Sequence, residues 1–104
     1  LGVTYKRNTN DLRESPALDI IKILQGKGAT VNFYDTYAAD LTSLDGAIHV
    51  SLDKEVLHAT DCVIIATDHS NVNYEWVTAH ASLIVDTRNV AKHTGTGRAK
   101  VIKI

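Results

Sequence analysis

Short apolar runs alternate along the chain with segments in which apolar residues recur every three or four positions. Alternating or continuously apolar runs predict strands, and the longer period predicts amphipathic helices. The predicted strands are residues 1–5, 29–35, 62–66, 82–89 and 99–104. Residues 62–66 are continuously apolar, which is typical of a central strand buried on both faces.

The first helix has clear start and stop signals. Ser15 is predicted as its N-cap and Pro16 as its first residue, where the missing N–H of proline costs nothing. Gly26 and Gly28 are predicted to end it. Its buried face consists of four apolar residues at helical spacing: Ala17, Ile20, Ile21 and Leu24.

Two shorter helices are predicted for residues 53–59 and 73–81, whereas residues 42–52 indicate only a turn and a short strand. Strands that alternate with helices predict an α/β fold with a mainly parallel sheet. Ligands bind to such sheets beyond the C-terminal ends of the strands. The loops that follow the strands are therefore the places to search for function.

Composition narrows the class of protein. The chain has 104 residues, which is the usual length of a single domain. Its net charge of -1 gives no broad electrostatic attraction for nucleic acid or an anionic membrane. Cys62 is the single cysteine, so an internal disulfide is excluded, and its place in an apolar run predicts a buried, inert thiol. The sequence shows no zinc-ligand spacing, secretory signal or bilayer-spanning run. These features predict a reducing, cytoplasmic location.

The chain contains no methionine, and it opens at Leu1 inside an apolar run. We therefore expect residues 1–104 to be one domain cut from a longer protein.

Basic residues follow two of the predicted strands. Lys6, Arg7 and Arg13 precede the helix start at Ser15, a combination suited to phosphate, although a solvated loop would look the same. Arg88 follows another strand and could bind a phosphate or form a salt bridge with Asp86 or another acid. The residues alone predict an α/β domain with an anion site formed by Lys6, Arg13 and Arg88.

Other polar residues at strand ends have weaker functional interpretations. Asp68 and His69 could act in acid–base chemistry, but no nucleophile accompanies them, and hydrogen bonding within a loop is favoured. Asp35 stands where a dinucleotide-binding fold uses an acid for ribose, yet the glycine-rich fingerprint is missing, which favours a turn aspartate. The GTG at residues 95–97 precedes a strand and indicates a flexible turn.

Several ordered motifs resemble one family. The chain opens with the block LGVTYKRNTNDLRESPALDII. Three further blocks follow in order: YDTYAAD, DCVIIATDHSNVNYEW and LIVDTRNV. Together the four blocks cover nearly the whole chain. They resemble the C-terminal domain of the UDP-glucose/GDP-mannose dehydrogenase family, although Thr36 stands where that family usually has proline. The opening block matches at Gly2, Tyr5, Lys6, Asn8, Thr9, Asp11, Arg13, Glu14, Ser15 and Pro16.

The resemblance implies a Rossmann-like three-layer sandwich that closes over the nucleotide half of a UDP-sugar. By position, Tyr5, Lys6 and Arg88 resemble residues that contact UDP, and Arg13 resembles an arginine that reaches toward NAD. Enzymes of this family oxidise the sugar C6 hydroxyl to a carboxylate with NAD. The NAD domain, the helical dimerisation region and the catalytic residues are expected outside this chain. Residues 66–69, 73–76 and 86–89 look most like the UDP-N-acetylhexosamine 6-dehydrogenases of bacterial polysaccharide synthesis.

A non-catalytic signalling module of the receiver or flavodoxin type is the alternative from another class. A receiver needs an acidic cluster after its first strand, and a flavodoxin needs a Ser/Thr/Gly-rich phosphate loop there. The loop here, TYKRN, is basic.

Overall fold

The computed structural model describes residues 1–9, 12, 15–91 and 98–103, and it has the predicted α/β architecture. The elements in chain order are α1 Pro16–Gly26, β1 Asn32–Phe33, a short 3-10 helix Thr36–Ala38, β2 Ser43–Leu44, β3 Ala47–His49, α2 Lys54–Ala59, β4 Val63–Ile65, α3 Tyr74–His80, β5 Leu83–Asp86 and β6 Lys100–Lys103.

The strands form two three-stranded sheets, ordered β1-β3-β2 and β4-β5-β6. Within the described residues, every pair is parallel except β2 with β3. The first residues of the chain join the two sheets, because Gly2 donates its N–H to the carbonyl of Tyr34 and Leu1 accepts from Ala66. With that segment in the middle, the spatial order is that of a Rossmann-like fold, which confirms the predicted mainly parallel sheet.

The segment at residues 1–5 is not the regular strand that the pattern predicts. Gly2 has a φ of +82°, and a Cβ atom placed there would lie 2.1 Å from the carbonyl oxygen of Thr67. The chain bends from Thr4 onward. The left-handed residue and the close approach to Thr67 interrupt the ladder, so the segment connects the sheets without forming a continuous strand.

The local signals at α1 act as predicted. The side chain of Ser15 accepts a hydrogen bond from the N–H of Ala17, and Pro16 opens the helix. Ala17 and Ile21 are buried, while the helix ends at Gly26, after which Gly28 takes a φ of +91°. Asp53 and Asn73 cap α2 and α3 in the same way.

Each sheet has its own hydrophobic core. On one side, α2 and α3 pack Leu57 and Val77 against β4, β5 and β6. On the other, α1 packs against Phe33, Ala47 and Val3. Within the described residues, no helix is both long and apolar enough to cross a membrane.

Two details differ from the sequence-based expectation. Cys62 precedes β4 and is exposed, so the prediction of a buried thiol is wrong; partial desolvation nevertheless raises its pKa. The region around Ile48 forms a β-hairpin with Asp45 and Gly46 at its turn, both at positive φ. The Asp-Gly pair is a strong hairpin signal, and it would have predicted β2.

Candidate anion-binding site

Four loops meet beyond the C-terminal ends of the parallel strands. They are residues 4–9, 34–37, 66–73 and 87–91. Hydrogen bonds link the first loop to the second and third, and an arginine of the fourth bonds to the third. The site is therefore built where the fold class predicts ligand binding.

Asp68 holds two arginines from different loops. Arg88 donates from Nε to Oδ1 of Asp68 at 3.0 Å, while Arg7 donates from Nε to Oδ2 at 3.1 Å and also through its terminal nitrogen. The side chain of Asp68 is only 4% exposed, whereas those of Arg7 and Arg88 are 57% and 38% exposed. One buried carboxylate thus fixes two guanidinium groups that reach solvent.

The charge of this cluster favours anions. Burial opposes ionisation of Asp68, but hydrogen bonds from Arg7 and Arg88 outweigh it and hold its pKa below the ordinary value. The ionised carboxylate and two guanidinium groups sum to one positive charge. The bond from Arg88 uses one of the five N–H donors of its guanidinium group. The arrangement suits a phosphate or carboxylate ligand.

The predicted site residues lie in or beside this cluster to different degrees. Tyr5 and Lys6 directly precede Arg7 on the first loop; Lys6 is exposed and Tyr5 is 48% exposed. Arg88 pairs with an acid, as one interpretation had it, but the acid is Asp68. Asp86 accepts instead from the backbone N–H groups of Arg88 and Ala91 and so shapes the fourth loop. Arg13 and the turn at residues 95–97 lie outside the described residues.

Asp35 ties the first loop to the end of β1. Its Oδ2 accepts from the N–H groups of Val3 at 2.7 Å and Thr4 at 3.2 Å and from Nε2 of His69 at 2.9 Å, while Oδ1 accepts from Tyr37. Burial opposes its ionisation, but the bonds from His69, Val3 and Tyr37 outweigh that and lower its pKa. Asp35 is 1% exposed, so it acts as the expected turn aspartate.

Asn8 anchors the far end of the first loop. It has a φ of +58°, its N–H donates to Nδ1 of His69 at 2.9 Å, and its side-chain oxygen accepts from the N–H of Ser70 at 3.0 Å. His69 is 1% exposed. These contacts favour the interpretation of His69 as a hydrogen-bonding loop residue.

Among the described residues, the site carries binding groups, and the acid–base candidates Asp35, Asp68 and His69 are all buried and bonded. Across the part of the chain that the structure describes, no group of three potential ligand side chains could hold a metal ion.

Two members of the cluster were not selected as site residues from the sequence. The sequence offers Arg7 only as one of several loop cations, and it favours a hydrogen-bonding loop role for Asp68. The predicted topology could have identified both residues, because neighbouring parallel segments bring residues 6–8 and 68–70 to the same edge of the sheet.

Residues 1–93 match the UDP-glucose/GDP-mannose dehydrogenase family, UDP binding domain. A UDP-N-acetyl-D-mannosamine dehydrogenase of Pyrococcus horikoshii is 35% identical over 93% of this chain and 22% of its own length. The UDP-glucose 6-dehydrogenase TuaD of Bacillus subtilis is 40% identical over 86% of this chain and 21% of its own length.

A solved structure of a related protein is also similar to this chain. The UDP-D-ManNAc dehydrogenase of Pyrococcus horikoshii is similar with a TM-score of 0.68 and 32% identity, over 97% of this chain and 24% of that one. The chain therefore spans less than a quarter of the length of these relatives.

Proposed function

Because the chain belongs to the UDP-glucose/GDP-mannose dehydrogenase family, we propose that it is the domain that binds the substrate nucleotide in an NAD-dependent UDP-sugar 6-dehydrogenase. The parent protein oxidises the sugar C6 hydroxyl to a carboxylate. The observation that carries the proposal is the pair of arginines held by Asp68 beside the Tyr5–Lys6 loop.

The proposed role of the site is to bind UDP by its pyrophosphate. Lys6 and Arg88 neutralise the phosphate charges, and Arg7 adds a third cation at the same edge. Hydrogen bonds between charged partners are stronger than neutral ones, so the diphosphate is the main source of affinity. The half-exposed ring of Tyr5 offers a surface or backbone groups to the nucleoside.

The described residues do not fit NAD. The first loop lacks a glycine-rich phosphate turn, and Asp35, the carboxylate that would meet a ribose, is buried and accepts four hydrogen bonds. We therefore assign NAD to another domain of the longer protein, with Arg13 as the predicted contact from this chain. The helical dimerisation region, the catalytic residues and the cytoplasmic location likewise belong to the proposal.

We further propose that the sugar is an N-acetylhexosamine, in line with the motif at residues 66–69. Relatives named for N-acetyl-D-mannosamine and for glucose are similarly related to this chain. Assay of the longer protein with both UDP-sugars tests this choice, and faster turnover of UDP-glucose would contradict it.

Titration calorimetry with UDP tests the nucleotide-binding proposal, with uridine and NAD⁺ as comparison ligands. We expect UDP to bind well above uridine and NAD⁺ not to bind measurably. Lys6→Ala and Arg88→Ala should each weaken UDP binding by about 1.5–3 kcal/mol, the range for a charged hydrogen bond. The control is Lys27→Ala, because Lys27 is an exposed cation at the opposite end of α1.

Equal affinity of wild type and both site variants for UDP would contradict the assignment of the site. If UDP fails to bind even at millimolar concentration, the same titration of the longer protein decides the matter. Absence of binding there too would contradict the proposed function.

A further inference from the structure

His69 is the buried link between the cationic loop and the sheet. Its Nδ1 lies 2.9 Å from the backbone nitrogen of Asn8, and its Nε2 lies 2.9 Å from Oδ2 of Asp35. The ring of Tyr37 packs against it, with the centroids 4.6 Å apart. The imidazole is thus held from three sides and is 1% exposed.

The two contacts define the tautomer of the ring. A backbone N–H can only donate, so Nδ1 of His69 must carry a lone pair toward Asn8. The proton then lies on Nε2, which donates to the carboxylate of Asp35. Oγ1 of Thr4 lies 3.2 Å from the same Nε2 and itself donates to the carbonyl of Lys6.

Asn8 is well placed to transmit the position of this ring to the ligand site. It follows Lys6 and Arg7 directly, and its φ of +58° is the left-handed conformation, which asparagine adopts more readily than most other non-glycine residues. The hydrogen bond to His69 supports that conformation from inside the protein. Without it, the loop loses its buried anchor at the residue next to Arg7.

We propose that His69 is a positioning residue of the UDP site: its unprotonated Nδ1 accepts from Asn8 and holds Lys6 and Arg7 in the conformation that binds the diphosphate. This role rests on the proposed function. It requires an acceptor at the Nδ1 position and does not require His69 to touch the ligand.

Two amide variants separate the two halves of the interaction. In His69→Asn, the side-chain oxygen occupies the Nδ1 position and still accepts from Asn8, while the bond to Asp35 is lost. In His69→Gln, the side-chain NH₂ occupies the Nε2 position and still donates to Asp35, while the acceptor for Asn8 is lost. We expect His69→Gln to weaken UDP binding about tenfold, the effect of losing one buried hydrogen bond, and His69→Asn to stay within about threefold of wild type.

Rescue by asparagine is the outcome that a purely structural role would not produce. If His69→Asn weakens UDP binding as much as His69→Gln, or if neither variant does, the proposal is wrong.

Nuclear magnetic resonance of the wild-type chain tests the same idea without ligand or mutation. Long-range proton–nitrogen correlations of His69 should show the Nε2-protonated tautomer at neutral pH, and the amide of Asn8 should exchange slowly with solvent. A proton on Nδ1 overturns the proposal even if both variants fail to fold. If the chain alone does not bind UDP, the two variants are compared in the longer protein. The tautomer of His69 and the exchange of Asn8 need no ligand, so they test the contact even where the nucleotide-binding proposal fails.

Discussion

At the scale of single residues, Asp68 organises the site through charge. A carboxylate that is 4% exposed requires partners, and Arg7 and Arg88 supply them from two loops far apart in sequence. The hydrogen bonds to Asp68 also fix the orientation of both guanidinium groups, while parts of both arginine side chains stay exposed. Asp68 therefore serves folding and binding through the same contacts.

Asp68→Asn keeps the size of the side chain and removes its charge. We expect a loss of about 1–3 kcal/mol in the free energy of unfolding, because three charged hydrogen bonds weaken and an amide cannot accept at both ends. Urea denaturation measures this, with Asp61→Asn as the control, since Asp61 is exposed. Equal stability of the two variants would show that Asp68 contributes little.

At the scale of elements, the close approach of residues 1–3 to the end of β4 explains why the first segment is not a regular strand. Gly2 lets the backbone pass against Thr67 and donate to Tyr34 at the same time. A larger residue would have to separate the two sheets.

Gly2→Ala should destabilise the protein by at least about 2 kcal/mol, since the new methyl group would overlap the carbonyl of Thr67 and φ is positive. Gly26→Ala is the matched control, because a Cβ atom there meets nothing within 4 Å. It should be neutral or stabilise α1 by up to about 1 kcal/mol. Thermal denaturation of both variants checks the contrast, and similar melting temperatures would refute the role of Gly2.

At the scale of the whole molecule, a buried carboxylate lies at the end of a strand in each of the two sheets. Asp35 lies at the end of β1 and Asp68 just beyond β4, and both have pKa values below the ordinary range. The unfolded chain binds protons at a higher pH than the folded one does. Stability from these groups is therefore complete above the unfolded pKa and is lost as the pH falls through the folded pKa.

Unfolding measured in urea at several pH values should show a steady decline of stability below about pH 4, where carboxylates of the unfolded chain take up protons. Asp68→Asn should show a shallower decline, because one of the two groups is gone. An equal slope in variant and wild type would exclude Asp68 as a source of the acid sensitivity.

Local patterns predicted the features that depend on neighbouring residues. Ser15 and Pro16 placed the start of α1, and the apolar runs located β4 and β5. Cys62 and the segment at residues 1–5 were misjudged because exposure and strand regularity depend on what packs nearby.

The same distinction between local patterns and long-range contacts applies to the site. Charge at strand ends selects Lys6 and Arg88 as candidate site residues. The bond between Asn8 and His69 joins residues 61 positions apart, and no local pattern encodes such a contact.

The joining segment also has a consequence for the order of folding. The hydroxyl of Thr67 donates to the carbonyl of Thr4 across 63 positions, so the seam between the sheets closes only after β4 has been synthesised. Contacts of such long separation form slowly, since a large loop must close first. During translation, residues 1–4 leave the ribosome before residues 63–67 and must wait for these partners, so the half that contains α1 and the hairpin gains its full support late.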